Sequence, residues 1–245
     1  MIILIVFIII IYISINLFIK THGYKIINLV NILNKPYIEN KMFYETKDLK
    51  WCKKLRNNYK NIRDEYLDYC KNNKLIRYSD IDKVQSVLDN TTQKWYVIIL
   101  KTFGTYTKNI KYFPTTYKLI SQIPGCTLAM FSILEPGKEI PRHSGVYNGV
   151  LRYHLGLITD KKDNNKCFIM LNGTKYIWKE GEDVIFDDIY SHYVMNNTKT
   201  TRVVLFLDIM KDFNNIFIEY INKILIKLSD YNDTKKEILD NIENK

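Results

Sequence analysis

Val150–Ile158 reads VLRYHLGLI and Thr201–Ile209 reads TRVVLFLDI, and the alternation inside these two stretches decides the fold. Successive side chains of a strand point to opposite faces. In the first stretch Leu151, Tyr153, Leu155 and Leu157 take one face, so Arg152 and His154 share the other. In the second, Val203, Leu205 and Leu207 oppose Arg202, Val204 and Phe206. Gly137, Gly145, Gly149, Gly173 and Gly181 punctuate the region, as tight antiparallel turns require. Short strands between such turns predict a mainly β fold with flanking helices, most simply a double-stranded β-helix of the jelly-roll or cupin kind.

Working outward, three of the four histidines, His143, His154 and His192, fall within fifty residues of one another, and Arg202 follows the last. Two neutral imidazoles suit ferrous iron, and the planar fork of an arginine suits a carboxylate held in one orientation. An unpaired guanidinium on the inner face of a barrel costs several kcal/mol or more. Arg202 therefore needs either a protein carboxylate, with Asp187, Asp188 and Asp208 as the candidates, or an anionic ligand. Ser132, on a neighbouring predicted strand, offers a hydroxyl to the same ligand.

Duller readings stand beside this one. Each histidine alone reads as a hydrogen-bonded core residue. The three histidines together read as ligands of a catalytic zinc in a metallohydrolase, which leaves Arg202 and Ser132 without a task. A metal-free cupin-like binding module is the non-catalytic alternative, and it leaves Arg202 unexplained. Asp187 and Asp188, followed by Ser191, read as turn chemistry. Trp178 and Phe186 read as core or wall residues.

The stretch FSILEPGKEIPRHSG, the block LRYHLGL, the FDD before SHYV, and TRVVLFLDI together resemble the aspartyl/asparaginyl β-hydroxylase family of 2-oxoglutarate-dependent dioxygenases. WCKKLRNNYKNIRDEYLDY resembles the family's segment upstream of the barrel, and the likeness runs from about Leu49 to Asp212. It implies that His143 and His192 bind Fe(II). It also implies that Arg202 and Ser132 hold the distal carboxylate of 2-oxoglutarate, with Arg152 and His154 beside its metal-bound end. His143-Ser144-Gly145 replaces the His-x-Asp common among dioxygenases. The family is known for a two-histidine site without a carboxylate ligand, so a water is expected in the third protein position. The implied reaction couples decarboxylation of 2-oxoglutarate by O2 to hydroxylation of a C–H bond, and Gly145 and Gly149 are expected to leave room there for a substrate.

Residues 2–19, IILIVFIIIIYISINLFI, are almost wholly apolar. As a helix they span roughly 27 Å, enough for a thin bilayer. No basic stretch precedes the run and no A-x-A-like site precedes Lys20, so a retained single-pass transmembrane anchor over residues 1–20 is expected rather than a cleaved leader. Lys20, Lys25, Lys35 and Lys41 follow the run against Glu39 alone, which by the positive-inside rule puts the catalytic domain on the cytosolic side. Residues 21–41 read as a linker, 42–212 as the dioxygenase domain with its barrel core at about 121–212, and 213–245 as a C-terminal helix and tail. Leu55, Tyr59, Ile62 and Tyr66 mark one amphipathic helix over Leu49–Cys70. Phe213, Ile216, Phe217, Tyr220, Ile221, Ile224, Leu225 and Leu228 mark a wide apolar helical face, and the charged residues from Asp230 read as a frayed end.

Cys52, Cys70, Cys126 and Cys167 have no metal-ligand spacing and leave disulfide pairing open. The formal charge of +10 is spread along the chain, so no nucleic-acid partner is expected, whereas lysines near the apolar run suit anionic headgroups. One branch of the family acts on peptidyl aspartate or asparagine, which is the first expectation for the substrate. Membrane-anchored relatives that hydroxylate a lipid acyl chain supply the second, and the YNGVLRYHLGL block with its upstream anchor looks closer to them.

Overall fold

The computed structural model describes residues 25–81, 88, 92–228 and 233–243. In chain order the strands are β1 (Phe43–Tyr44), β2 (Ile76–Arg77), β3 (Trp95–Thr102), β4 (Thr105–Tyr106), β5 (Cys126–Leu134), β6 (Glu139–His143), β7 (Val150–Ile158), β8 (Cys167–Leu171), β9 (Thr174–Ile177), β10 (Asp183–Phe186), β11 (His192–Asn196) and β12 (Arg202–Met210). The helices are α1 (residues 25–34), α2 (Lys50–Asn57), α3 (Tyr59–Asn72), α4 (Tyr78–Ile81), α5 (Pro114–Ile120), α6 (Ile216–Leu228) and α7 (Asp233–Glu243).

A large antiparallel sheet has the order β1-β10-β7-β12-β5-β3-β2, with β4 on β3, and faces a smaller sheet ordered β6-β11-β8-β9. From β5 onward the chain passes repeatedly between them: β5 to β6, back to β7, out to β8 and β9, back to β10, out to β11 and back to β12. That winding is the one the alternating strands predict. Val204, Phe206, Met130, Val97 and Ile99 line the inner face of the large sheet against Ile140, Ile169, Leu171 and Val194 of the small one. On the other face Tyr153, Leu155, Leu205, Leu207 and Phe131 pack under Cys52, Leu55, Ile62, Tyr66 and Ile120 of the helices. Each buried large aliphatic contributes about 1.5–3 kcal/mol, so a one-residue slip in β7 or β12 would turn a whole apolar set to the wrong side.

Four expectations are corrected. The single helix over Leu49–Cys70 is two, because Asn58 leaves helical geometry (φ −109°, ψ 11°) and its amide donates to Lys54 O at 2.8 Å, closing the last turn of α2. The stretch read as a linker is helical from residue 25, with Val30 and Asn34 buried. The end read as frayed forms α7, whose Ile238 and Ile242, one turn apart, are buried in the inter-sheet core cluster. Its Asn241 amide donates to Ile81 O of α4 at 3.2 Å. Finally, the glycines divide in two. Gly137, Gly173 and Gly181 adopt positive φ of 78°, 88° and 78°, as their turns need. Gly145 and Gly149 do not; a side chain at Gly145 would collide with the Asp188 carboxylate, and one at Gly149 with Tyr147 and Asn222. The space expected there for a substrate is filled by protein.

The cysteines are free thiols. Among the described residues no helix is long and apolar enough to cross a membrane, and residues 2–19 lie outside the described residues.

Candidate active site

His143 ends β6, His192 begins β11, and the two are direct partners across the antiparallel pair. Their ring centroids stand 4.2 Å apart. The Nδ1 of His143 lies 2.7 Å from Pro141 O and that of His192 lies 2.8 Å from Tyr190 O. A carbonyl only accepts, so in each ring Nδ1 carries the hydrogen and Nε2 keeps its lone pair free. Burial holds both imidazoles below their ordinary pKa, that of His192 down to about 4 with His143 adding to the effect. Two neutral rings with free Nε2 atoms are the form in which histidine binds a metal. Among the described residues no third histidine, cysteine or carboxylate joins them in a metal-holding cluster. The three-histidine zinc arrangement is therefore not formed.

Arg202 begins β12 at the other end of the interior and is 2 % exposed. Its Nη1 donates to Ser132 O at 3.3 Å and to Ser132 Oγ at 3.4 Å, and its guanidinium lies 4.7 Å over the Trp178 ring. Nε has no partner. Burial lowers its pKa to about 10, with Cys167 acting in the other direction. Among the described residues no carboxylate pairs with it, and Asp187, Asp188 and Asp208 are each engaged by another cation. Trp95 Nε1 donates to Ser132 Oγ at 3.0 Å, which orients that hydroxyl.

His154 stands between the two ends. It is buried against Phe206, Phe186 and Trp178, with ring centroids 4.8, 5.1 and 5.8 Å away. Neither ring nitrogen has a hydrogen-bond partner. Burial, then the charges of Arg202 and Arg152, hold it neutral, so one nitrogen remains a donor. A core histidine satisfied by backbone groups, the duller reading, is not what the structure shows.

Arg152 is already occupied. Its Nη1 lies 2.9 Å from Asp188 Oδ2, and its Nε donates to Asp208 Oδ1 at 3.0 Å. The guanidinium also lies 4.4 Å over the Phe206 ring. Of the acidic residues weighed as partners for Arg202, Asp188 and Asp208 thus belong to Arg152, while Asp187 pairs with Lys211 and accepts Ile189 N–H at 3.3 Å. Turn chemistry is right for Asp187 and wrong for Asp188. Sequence reasoning missed Asp188, Asp208 and Trp95 as supports of the site. Asp208 had a signal, since it lies on the same strand face as Arg202; Asp188 and Trp95 become neighbours only through the winding of the sheets.

The interior therefore holds two facing neutral imidazoles with free Nε2 atoms, a neutral donor at His154, and a desolvated guanidinium with no carboxylate partner among the described residues. This set fits ferrous iron with a keto diacid. Residues 56–212 match the sequence profile of the family described as aspartyl/asparaginyl beta-hydroxylase. The chain is 38 % identical over 217 residues to an ornithine lipid ester-linked acyl 2-hydroxylase of Rhizobium tropici, covering 85 % of this chain and 75 % of that one. It is 30 % identical over 163 residues to the aspartyl/asparaginyl beta-hydroxylase of Homo sapiens, covering 64 % of this chain and only 20 % of that longer protein. A Pseudomonas putida prolyl-4-hydroxylase crystal structure superposes with a TM-score of 0.44 and 13 % identity over 64 % of this chain and 87 % of that one. With a profile match over more than half its length, the chain belongs to the aspartyl/asparaginyl β-hydroxylase family.

Proposed function

We propose that this hydroxylase-family member depends on Fe(II) and 2-oxoglutarate and hydroxylates the acyl chain of a membrane lipid. The observation that carries the cosubstrate is Arg202, a buried cation with Ser132 beside it and no carboxylate among the described residues. A free diacid supplies the missing charge, and a fork of donors fixes its direction. His143 and His192 hold the metal through Nε2, their Nδ1 hydrogens tied to Pro141 O and Tyr190 O so that neither ring turns. His154 would offer a ring N–H to the cosubstrate, and Arg152, held in place by Asp188 and Asp208, would stand beside it with its charge already compensated. When bound, iron and 2-oxoglutarate supply the oxidising power: O2 gives one atom to succinate, with release of CO2, and the other to the substrate C–H bond. The apolar walls of Phe186, Phe206 and Trp178 keep side reactions from solvent.

Support for a lipid rather than a peptidyl aspartate or asparagine comes from the Rhizobium relative, whose 217-residue match extends well beyond residues 56–212. An acyl carbon at position 2 adjoins the ester, so a lipid hydroxylase of that kind must work at headgroup depth, within reach of an anchored domain. The full chain in lipid vesicles with Fe(II), ascorbate, O2 and 2-oxoglutarate tests the reading by mass spectrometry. Succinate should form in step with lipid that has gained one oxygen atom, and His143→Ala and His192→Ala should abolish both. Absence of succinate rejects the cosubstrate; oxygen found only on aspartyl or asparaginyl peptides rejects the lipid.

A further inference from the structure

The helices α1 and α6 bury Val30 and Ile218 and yet also turn large apolar side chains outward. Their inward faces carry Asn34 and Asn222, both fully buried, which exchange two hydrogen bonds: Asn34 Nδ2 to Asn222 Oδ1 at 3.0 Å and Asn222 Nδ2 to Asn34 Oδ1 at 2.8 Å. The loop after His143 joins the same cluster. Asn31 Nδ2 donates to Val146 O at 2.9 Å, Asn34 Nδ2 to Asn148 Oδ1 at 2.8 Å, and Tyr147 Oη donates to Asn222 Oδ1. The outward faces are apolar: Leu29 and Ile32 on α1, Val146 on the loop, and Ile216, Phe217 and Tyr220 on α6. Ile32 is 68 % and Ile216 86 % exposed. A helix pair that meets water keeps its outward faces polar, and large apolar side chains exposed on hydrogen-bonded neighbouring elements mark a contact surface.

We propose that this face, formed by α1, the 146 loop and α6, rests on a lipid bilayer. The chain itself points to that occupant. The apolar run ends at Ile19 and α1 is described from residue 25. The intervening residues, even fully extended, reach at most about 18 Å. Any bilayer that holds residues 2–19 therefore lies within that reach of the start of α1, the helix that exposes Leu29 and Ile32. Lys25, Lys35, Lys223 and Lys227 are exposed on the same two helices and their immediate flank, and lysines in that position are drawn to anionic headgroups.

Docked in this way, the protein presents a cavity of about 360 Å³ at headgroup level, lined by Asn31, Lys35, Glu39, Gly145, Asn148 and Tyr190 among others. Gly145 lies two residues from His143 and Tyr190 two residues from His192, so the cavity lies beside the two loops that carry the histidine pair. This consequence rests on the lipid reading; the docking itself is measurable without turnover.

The test uses the full chain in vesicles of brominated phosphatidylcholine with phosphatidylglycerol. Phe217→Trp should add emission that is shifted to the blue and quenched about twofold by the bromines, because an interfacial face enters the headgroup and acyl boundary. Leu67→Trp, an exposed position on α3, should add unquenched emission. Equal quenching of the two overturns the proposal. So does blue-shifted but unquenched emission at position 217, which would mean that a second copy covers the face. Phe217→Glu supplies the second measurement: hydroxylation of lipid in vesicles should fall about tenfold, with turnover of the same lipid in detergent unchanged. Quenching without lipid hydroxylation keeps the docking and removes the lipid substrate; hydroxylation without quenching does the reverse.

Discussion

Arg152 and Arg202 lie on neighbouring central strands of one sheet, at opposite ends of the same interior, and their surroundings are opposite. Arg152 pairs across the ladder with Asp208 and reaches Asp188 as well. Burial works against its charge, but the two carboxylates outweigh burial and push its pKa up. Arg202 pairs across the ladder with Leu134 and, among the described residues, has Ser132, Trp178 and Cys167 as its polar and aromatic neighbours. Burial there pulls the pKa down to about 10 with little to oppose it. The fold completes one cation with two carboxylates of its own and, among the described residues, gives the other none. Charge alone does not mark a binding residue; the absence of a built-in counter-charge does.

The largest effect should come from breaking the completed pair. Arg152→Met leaves Asp188 and Asp208 buried without compensation, and losing one partner of a buried ion pair costs about 3–5 kcal/mol. Urea unfolding of the metal-free protein should show a loss of this order, and adding Asp188→Asn and Asp208→Asn should recover most of it. A change within error would mean that the two carboxylates are solvated and that Arg152 is free to serve the cosubstrate alone.

Arg202→Met should behave oppositely in the same measurement. Removing an unpaired buried charge is neutral or stabilising by about 1–2 kcal/mol. Binding suffers instead: truncating one member of a charge pair formed with the ligand costs about 2–5 kcal/mol, read as a rise in the KM for 2-oxoglutarate with kcat much less affected. A variant as unstable as Arg152→Met would show that Arg202 has a structural partner.

The contrast was half legible in the sequence. Period-two alternation put Arg152 and His154 on one face of β7, Arg202 on one face of β12 and Ser132 nearby, and the strands follow that reading because each face buries a different apolar cluster. Which arginine was already paired could not be read there, since Asp188 reaches Arg152 only after the chain has crossed between sheets. Gly145 misled for the same reason. It looked like room for a substrate and is room for the Asp188 carboxylate. The ends differ in another way: residues 21–41 read as a linker, yet Asn34 of α1 is buried against Asn222, 188 positions away.

A smaller effect follows from the histidines between the arginines. His154 is held well below its ordinary pKa by burial and then by Arg202 and Arg152, and His192 is lowered to about 4 by burial and then by His143. The unfolded chain therefore binds protons that the folded chain refuses. For such groups stability is fully present above the unfolded value near 6.5 and declines as pH falls toward the folded values. The metal-free protein should melt progressively lower from pH 7 to pH 5, and His154→Phe should flatten part of that slope. A slope unchanged by the substitution would place His154 in contact with water.

The smallest effect sharpens the account of Arg202. Trp95 Nε1 donates to Ser132 Oγ at 3.0 Å, and that same oxygen accepts from Arg202 Nη1 at 3.4 Å. With both donors in place the hydroxyl hydrogen must point elsewhere, and in the proposed complex it would be free to donate to the carboxylate beside Arg202. Trp95→Phe keeps the aromatic bulk stacked on Tyr78 and removes only the donor, a change of about 1 kcal/mol in stability. The hydroxyl hydrogen can then turn away from the cosubstrate. The KM for 2-oxoglutarate should rise severalfold, and the Trp95→Phe/Ser132→Ala double variant should have the same KM as Ser132→Ala alone. Strict additivity of the two substitutions would separate Trp95 from the carboxylate-holding group and leave Arg202 and Ser132 to act without it.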